Sequence, residues 1–273
     1  MRKSLAFNAA MILSLLACFA LIPAGGSAQT WVDLSKKLID DCARFNQGVD
    51  DMTLTMEMQV PSSEGTVKTQ SVLYRKGERF RAEMTMEGME DAGLPAGMGD
   101  MKTMVINDGT NVWIIAPMMG KSQVPSDEGA KYRGQWTCSD YIPVDAEIIG
   151  SEKVGGRDCY VLAVLDKSSD FAKLWIDRKN YALLKIEGKK TDDETMVVLF
   201  SDFRKVPGGI EMAYKAEMYS DKDLISTVIM KSVEINTGLA DDLFDADKGK
   251  DEGTGVPDLM EKMKENAGKV LDE

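Results

Sequence analysis

The 273-residue sequence has no histidine and only four cysteines. Without imidazole there is no Ser-His-Asp or Cys-His nucleophilic apparatus, and the commonest ligand of zinc, copper and non-haem iron is missing. The cysteines, at 18, 42, 138 and 159, form no C-x-x-C, which excludes a zinc ribbon and a thioredoxin-type redox motif. Positive charge is also short. Lys and Arg total 33 against 45 Asp and Glu, a net charge of −12 that repels nucleic-acid phosphates and anionic headgroups. No glycine-rich phosphate loop follows a strand and opens a helix. Long apolar runs are confined to one place, Leu5 to Ile22, broken only by Asn8 and Ser14.

That single run defines a leader. Arg2 and Lys3 precede it, Pro23 and "GGSA" follow it, and Gly26 and Ala28 supply the small residues of a cleavage site. The pattern predicts a secretory signal peptide over residues 1–28, cut after Ala28. "LLAC" at Cys18 resembles an acylation site, but the apolar run continues past it to Ile22. Removal of Arg2 and Lys3 takes the charge from −12 to −14. No later stretch reaches the ~20 apolar residues of a membrane span, so the mature chain is expected to be exported, without a transmembrane segment and without a nucleic-acid partner. Export permits a disulfide, for which Cys138 and Cys159 are the candidate pair, while Cys42 reads as a small buried hydrophobe on a helix.

The mature chain opens on a helix. Thr30 can cap it with Asp33 three residues on, and Trp31, Leu34, Leu38, Cys42 and Phe45 recur on one face before Gly48 stops it. Strands follow. In "MTLTMEMQV", Met52, Leu54, Met56, Met58 and Val60 alternate with Thr53, Thr55, Glu57 and Gln59. "RFRAEMTM" repeats the design with Phe80, Ala82, Met84 and Met86 on its apolar side. Turn signals stand at Gly77, Asp108-Gly109, Gly155-Gly156, Asp177, Asp192 and Gly208-Gly209. The reading is mainly β with a few helices: about eleven antiparallel strands in a curved meander sheet or incomplete barrel. This body covers 29–247. Residues 248–273 read as an acidic linker and a short amphipathic helix carrying Leu259, Met260, Met263, Ala267, Val270 and Leu271.

No catalytic group emerges. Asp192-Asp193-Glu194 and Asp241-Asp242 read as solvated turns, and "DADKGKDE" departs from a calcium loop in the place of its glycine and in having Val256 where the bidentate Glu belongs. The chain is therefore expected not to be an enzyme, with no metal and no cofactor. Methionine is the anomaly, with 19 in the whole chain. A β core ordinarily prefers Val, Ile and Phe, whereas unbranched, polarizable Met suits surfaces that refit to varied apolar partners. Met89, Leu94, Met98 and Met101 fall in a Gly/Pro loop between two strands, as a flap would. The spacing of Met98, Met101 and Met104 offers a rival reading, Cu(I) held by thioethers of the 84–104 segment, although copper sites usually recruit His or Cys and neither is near.

Taken in order, "LYRKGERFRAEM", "VINDGTNVWIIAP", "IIGSEKVGGRDCYVL", "AKLWIDRKNYALLKIE", "FSDFRKVPGGIEMAYKAEM" and "VEINTGLADDLFD" resemble the LolA-like superfamily of outer-membrane lipoprotein-sorting proteins. The shared points are Phe80-Arg81, Asp108-Gly109, Trp113, Pro117, and a closing Asn236, Gly238 and Phe244. The family's Arg-Pro before its Phe-Arg strand is absent, since Lys76-Gly77-Glu78 stands there. The resemblance implies a half-barrel whose concave face is covered by helices and encloses a cavity for acyl chains. Its expected lining is Leu38, Met52, Leu54, Met56, Met58, Phe80, Ala82, Met84, Met86, Trp113, Leu174 and Ile176, and Met104 is expected to point the same way. The implied function is a periplasmic carrier of lipid or lipoprotein acyl chains. The alternative is an envelope sensor or interaction domain of the same fold, acting on an inner- or outer-membrane protein. Intact-mass measurement of the exported protein should give a chain starting at Gln29; an N-terminus anywhere upstream of Cys18 would contradict the leader assignment.

Overall fold

A computed structural model describes residues 30–63, 65–87, 102–116, 120–126, 129, 142–143, 145–165, 169–189, 194–206 and 210–248, excluding the side chains of 41–47, 86, 87 and 210. The leader, the loop carrying Met89, Leu94, Met98 and Met101, Cys138, Pro117 and the terminal helix lie outside these residues. The expected first helix forms as α1 (Trp31–Gln47). Thr30 caps it: the Asp33 amide donates to Thr30 Oγ1 at 3.2 Å, and that hydroxyl donates to Asp33 Oδ2 at 2.8 Å. Leu34 and Leu38, one turn apart, are buried, whereas Val32 and Ile39 on the other side are exposed.

After α1 come β1 (Asp51–Ser62), β2 (Gly65–Lys76), β3 (Arg79–Glu87), β4 (Lys102–Asn107), β5 (Val112–Ala116) and β6 (Gly120–Gln123). A second run follows: β7 (Ala146–Val154), β8 (Arg157–Val164), β9 (Phe171–Asp177), β10 (Leu183–Gly188), β11 (Met196–Val206), β12 (Ile210–Ser220) and β13 (Asp223–Ile235). All join one open, curved antiparallel sheet of 13 strands in the order β6-β5-β4-β3-β2-β1-β13-β12-β11-β10-β9-β8-β7. The expected turns at Gly77, Asp108-Gly109 and Gly155-Gly156 are there, and that at Gly208-Gly209 lies outside the described residues. Gly155 and Gly156, at φ +56° and +81°, make the two-residue turn between the paired Val154 and Arg157.

The count of about eleven strands is corrected to 13 by β2 and β6. Both escape a hydrophobic-periodicity reading for a physical reason. The buried row of β2 is Thr69, Ser71, Leu73 and Arg75, so only one of its four inward residues is apolar. Strand β6 is a short, polar edge, the kind that resists pairing with another chain.

Every pairing but one joins sequence neighbours. The exception is β1 with β13, which unites the two meanders from Met52↔Ile235 to Gln59↔Thr227 with a bulge between Thr55 and Met56. A polar latch fastens its end. The buried Asp51 carboxylate accepts from the amides of Thr237 (2.8 Å), Gly238 (2.9 Å) and Leu239 (3.1 Å). In return Asn236 Oδ1 accepts from the Asp50 amide at 2.7 Å, and Asn236 Nδ2 donates to the Gly48 carbonyl at 2.8 Å. Asn236 and Gly238 take φ of +57° and +80°, which Asn and Gly tolerate best and which wrap the chain around the carboxylate. Burial alone raises the Asp51 carboxyl, but these amides outweigh it and hold it below its ordinary value. Hydrogen bonds to a charged group are worth about 1.5–3 kcal/mol each. Asp51→Ala should therefore cost about 3 kcal/mol in urea unfolding, and Asp51→Asn less; an Asp51→Ala loss under 0.5 kcal/mol would remove the latch from the account.

Candidate functional site

Directly paired residues on neighbouring strands share a face, so the register sorts the candidate residues. On β1, Leu54 pairs with Leu73 of β2 and Val233 of β13, and Met56 pairs with Ser71 and Met230. Leu73 pairs in turn with Ala82, and Ser71 with Met84. On the far side of the seam, Val228 pairs with Ala216, Ala216 with Phe200, Val198 with Ile186, Ile186 with Leu174, and Leu174 with Leu162. This is the concave face, and one continuous apolar cluster covers it.

Of the expected lining, Leu38, Met52, Leu54, Met56, Phe80, Ala82, Leu174 and Ile176 are buried in that cluster together with Leu34 of α1. Met58 packs against it partly buried. Met84 is half-buried and shares the face through its pairing with Ser71. The Met86 side chain lies outside the described residues. Five methionines, Met52, Met56, Met212, Met218 and Met230, are buried in this cluster, from both meanders.

Two expectations are corrected. Trp113 pairs with Ile106, which pairs with Arg81; Met104 pairs with Glu83. Arg81 and Glu83 alternate with Phe80, Ala82 and Met84, so Trp113 and Met104 sit on the outer face. There Met104, Ile106, Ile115 and Ala246 form a separate cluster, with Trp113 against it. Sequence alternation of β3 placed its own side chains correctly, but the phase of β4 and β5 could be set only by pairing. The Asp-Gly-x-x-x-Trp spacing is a turn staple. Asp108 accepts from the amides of Thr110 and Asn111 and, at 2.8 Å, from Trp113 Nε1, while Lys121 Nζ sits 4.0 Å from the Trp113 ring centroid.

The chain after the latch covers this outer cluster. Phe244, in the 3₁₀ turn Asp241–Phe244, is buried, with the Arg79 guanidinium 5.2 Å from its ring centroid. Asp241 accepts from Arg79 at 2.7 Å and lies 2.8 Å from Lys76 Nζ, contacts that hold its carboxyl below the ordinary range. Arg81 donates to the Leu243 carbonyl and, at 3.2 Å, to the Met104 thioether. A guanidinium donating to that sulfur opposes a second cation there, which tells against the Met98-Met101-Met104 copper reading. Among the described residues no group of three or more His, Cys, Asp or Glu could hold a metal ion.

Cys159 is a free thiol here, and its suggested partner, Cys138, lies outside the described residues. Cys159 belongs to another outer-face cluster with Val161, Trp175, Ala182 and Leu184, and donates weakly to the Arg157 carbonyl. Burial, with help from Asp177, pushes the thiol up to about 11, which makes it unreactive.

Sequence reading missed the β2 row of Thr69, Ser71 and Arg75, and Ser226 on β13, all buried. Ser226 pairs with Met218 and follows the alternation of Val228, so it too faces the concave side. Hydropathy carries no signal for such residues. It also missed a buried acid on the outer face. Glu57 accepts from Gln59 at 2.5 Å and Gln70 at 3.1 Å, and lies 3.0 Å from Lys231 Nζ.

Comparison with known proteins agrees with this geometry. A DUF1329 family protein from Desulfovibrio piger superposes with a TM-score of 0.56 at 16% identity, over 78% of this chain and 98% of its own. A domain from Vibrio parahaemolyticus named for outer-membrane lipoprotein sorting gives 0.53 at 16% identity, over 77% and 97%. A LolA superfamily protein from Nitrosomonas europaea gives 0.51 at 14% identity, over 81% and 99%. The class is thus defined: a LolA-like open barrel. A family profile described as an uncharacterized protein matches residues 95–248, more than half of the chain, and the chain belongs to that family. No curated protein matches the sequence.

The outer face yields a pH prediction. Hydrogen bonds from Gln59 and Lys231 lower the Glu57 carboxyl from 4.5 to about 2. A depressed carboxylate contributes stability that is present above its unfolded value and lost as pH falls through its folded value. Glu57→Gln should therefore cost about 2 kcal/mol at pH 6, by the same linkage, and the gap from wild type should close between pH 4.5 and 2. A gap independent of pH across that window would contradict the assignment.

Proposed function

We propose that this protein binds acyl chains of a lipid or lipoprotein on its concave face, between the sheet and α1, and acts in the periplasm as a carrier. The observation that carries the reading is the make-up of that face. It is apolar across both meanders and unusually rich in methionine, a side chain that repacks around differing hydrocarbon shapes at little cost. A core serving stability alone gains more from Val, Ile and Leu, whose few rotamers pack uniquely. Burial of each methylene contributes ~0.8 kcal/mol, enough for a chain of ordinary length to be held without any polar contact. The absence of histidine fits a role in which nothing is cleaved or transferred. The LolA-like fold supports the reading as an analogy of architecture.

In this account Met58 and Met84, less buried than their neighbours, meet the ligand, together with Leu38, Met52, Leu54, Met56, Phe80, Ala82, Leu174 and Ile176. Native mass spectrometry of gently purified protein should show a co-bound lipid that organic extraction removes and added phospholipid or lipopeptide restores. The double variant Met58→Gln/Met84→Gln should bind about tenfold more weakly, a change of ~1.4 kcal/mol, whereas Trp113→Leu on the outer face should leave affinity unaltered. A wild-type protein that takes up neither probe, or a loss confined to the Trp113 variant, would sink the proposal.

A further inference from the structure

The concave face carries hydroxyls where an acyl-chain surface needs none. Thr69 and Ser71 of β2 and Ser226 of β13 are all buried there, at 7%, 6% and 4% exposure. Thr69 pairs with Met58, which pairs on its other side with Val228, two residues from Ser226. Thr69 and Ser71 thus share the face of Ser226, two strands away across β1. Ser226 sits toward the end of the sheet where the β12–β13 turn closes, opposite the Asp51 latch. Ser226 is the informative one. Among the described residues, its Oγ is the buried side-chain oxygen or nitrogen with no hydrogen-bond partner. An unmet buried hydroxyl opposes folding, and an alanine of nearly the same size would avoid that cost.

Resting on the reading that this face takes acyl chains, we infer that Ser226 recognises the ester linkage of the ligand. Its hydroxyl donates a hydrogen bond to the ester carbonyl, so the protein selects ester-linked acyl lipids over hydrocarbon of the same length. Position supports an ester over a group further along the chain. Ser226 is three residues from the start of β13, at the turn end, while Val228 and Met230 continue inward as apolar surface. A ligand whose hydrocarbon covers Val228 and Met230 has the end of its tail's polar linkage beside Ser226. An ester carbonyl only accepts, and a serine hydroxyl can supply the donor. A site built around one hydrogen bond discriminates against the analogue lacking it more sharply than an apolar wall does, because that analogue leaves the buried group unpaired.

Ester carbonyls are common to glycerophospholipids and to the diacylglyceryl-cysteine of lipoproteins, and the test separates these sources. Dissociation constants are measured for dioleoyl phosphatidylethanolamine, its ether-linked dialkyl counterpart and a dipalmitoylglyceryl-cysteine peptide, each in mixed micelles. Wild type should favour the ester lipid over the ether lipid about tenfold. Ser226→Ala should abolish that preference by weakening only the ester probes, and Ser226→Thr, which keeps the hydroxyl, should retain it. Whichever ester probe binds more tightly identifies the source. The thermal midpoint of lipid-free Ser226→Ala should equal or exceed that of wild type, since an unpaired hydroxyl is lost. Equal binding of ester and ether lipids by wild type, or a preference that survives Ser226→Ala, would overturn this inference while leaving acyl-chain binding intact. Binding of none of the three would overturn both.

Discussion

The structure depends on the pairing of β1 with β13. Eleven of the 12 strand pairings join sequence neighbours, each strand folding back on its predecessor, but such turns alone yield two separate meanders. The seam joins residues about 170 positions apart, and closing so long a loop costs entropy that no neighbouring contact offsets. Its end is accordingly densely hydrogen-bonded. A single carboxylate gathers three amides, and one asparagine side chain closes the loop from the other strand. The concave face exists only once this seam is made, because Met52, Leu54 and Met56 on one side meet Val233 and Met230 on the other across it.

The same segment that forms the latch continues over the outer face, and this explains the charges there. Lys76 and Arg79 lie on strands whose outer surface has no second sheet to cover it. The acidic turn at Asp241 supplies ion pairs, Ala246 supplies apolar cover to Ile106, Ile115 and Met104, and Phe244 is buried with the Arg79 guanidinium over its ring. Exposed ion pairs of this kind contribute little individually. Their role here is to set which way the strap lies, while burial of Phe244 supplies most of its stability. The strong acidity of the chain is thus partly structural, with Asp241 and Asp247 facing Lys76, Arg79 and Lys121.

Much of this was legible in the residues. The cap at Thr30, the alternation of β1 and β3, the paired glycines at 155 and 156 and the closing Asn236-x-Gly238 each express a local rule, and each appears where the rule puts it. What was illegible is equally specific. Strand β2 hid because its inward row is hydroxyl and guanidinium, so that its partners make it a strand and its own pattern does not. The face of Trp113 is illegible because alternation fixes the phase within a strand but not between strands, and only the pairing of β3, β4 and β5 sets it. Export and cysteine number say nothing of where Cys159 lies, and its surroundings are Trp175 and Leu184.

These two kinds of illegibility converge on the site. Residues that a hydropathy pattern reads correctly are those a generic core would also contain, so they say little about what the face is for. Thr69, Ser71 and Ser226 break the pattern while remaining buried, and the unpartnered hydroxyl of Ser226 opposes stability unless something else repays it. The methionines point the same way from the opposite direction. They keep the pattern but weaken the uniqueness of packing that a purely structural core maximises. A face that is apolar, repackable and interrupted by buried hydroxyls, one of them unpartnered, is poorly suited to folding for its own sake. It is well matched to a ligand with long hydrocarbon and a single polar linkage. On the function proposed above, the methionines would accommodate the first and the hydroxyl of Ser226 the second, and neither feature has an equally direct explanation if the concave face were merely a core.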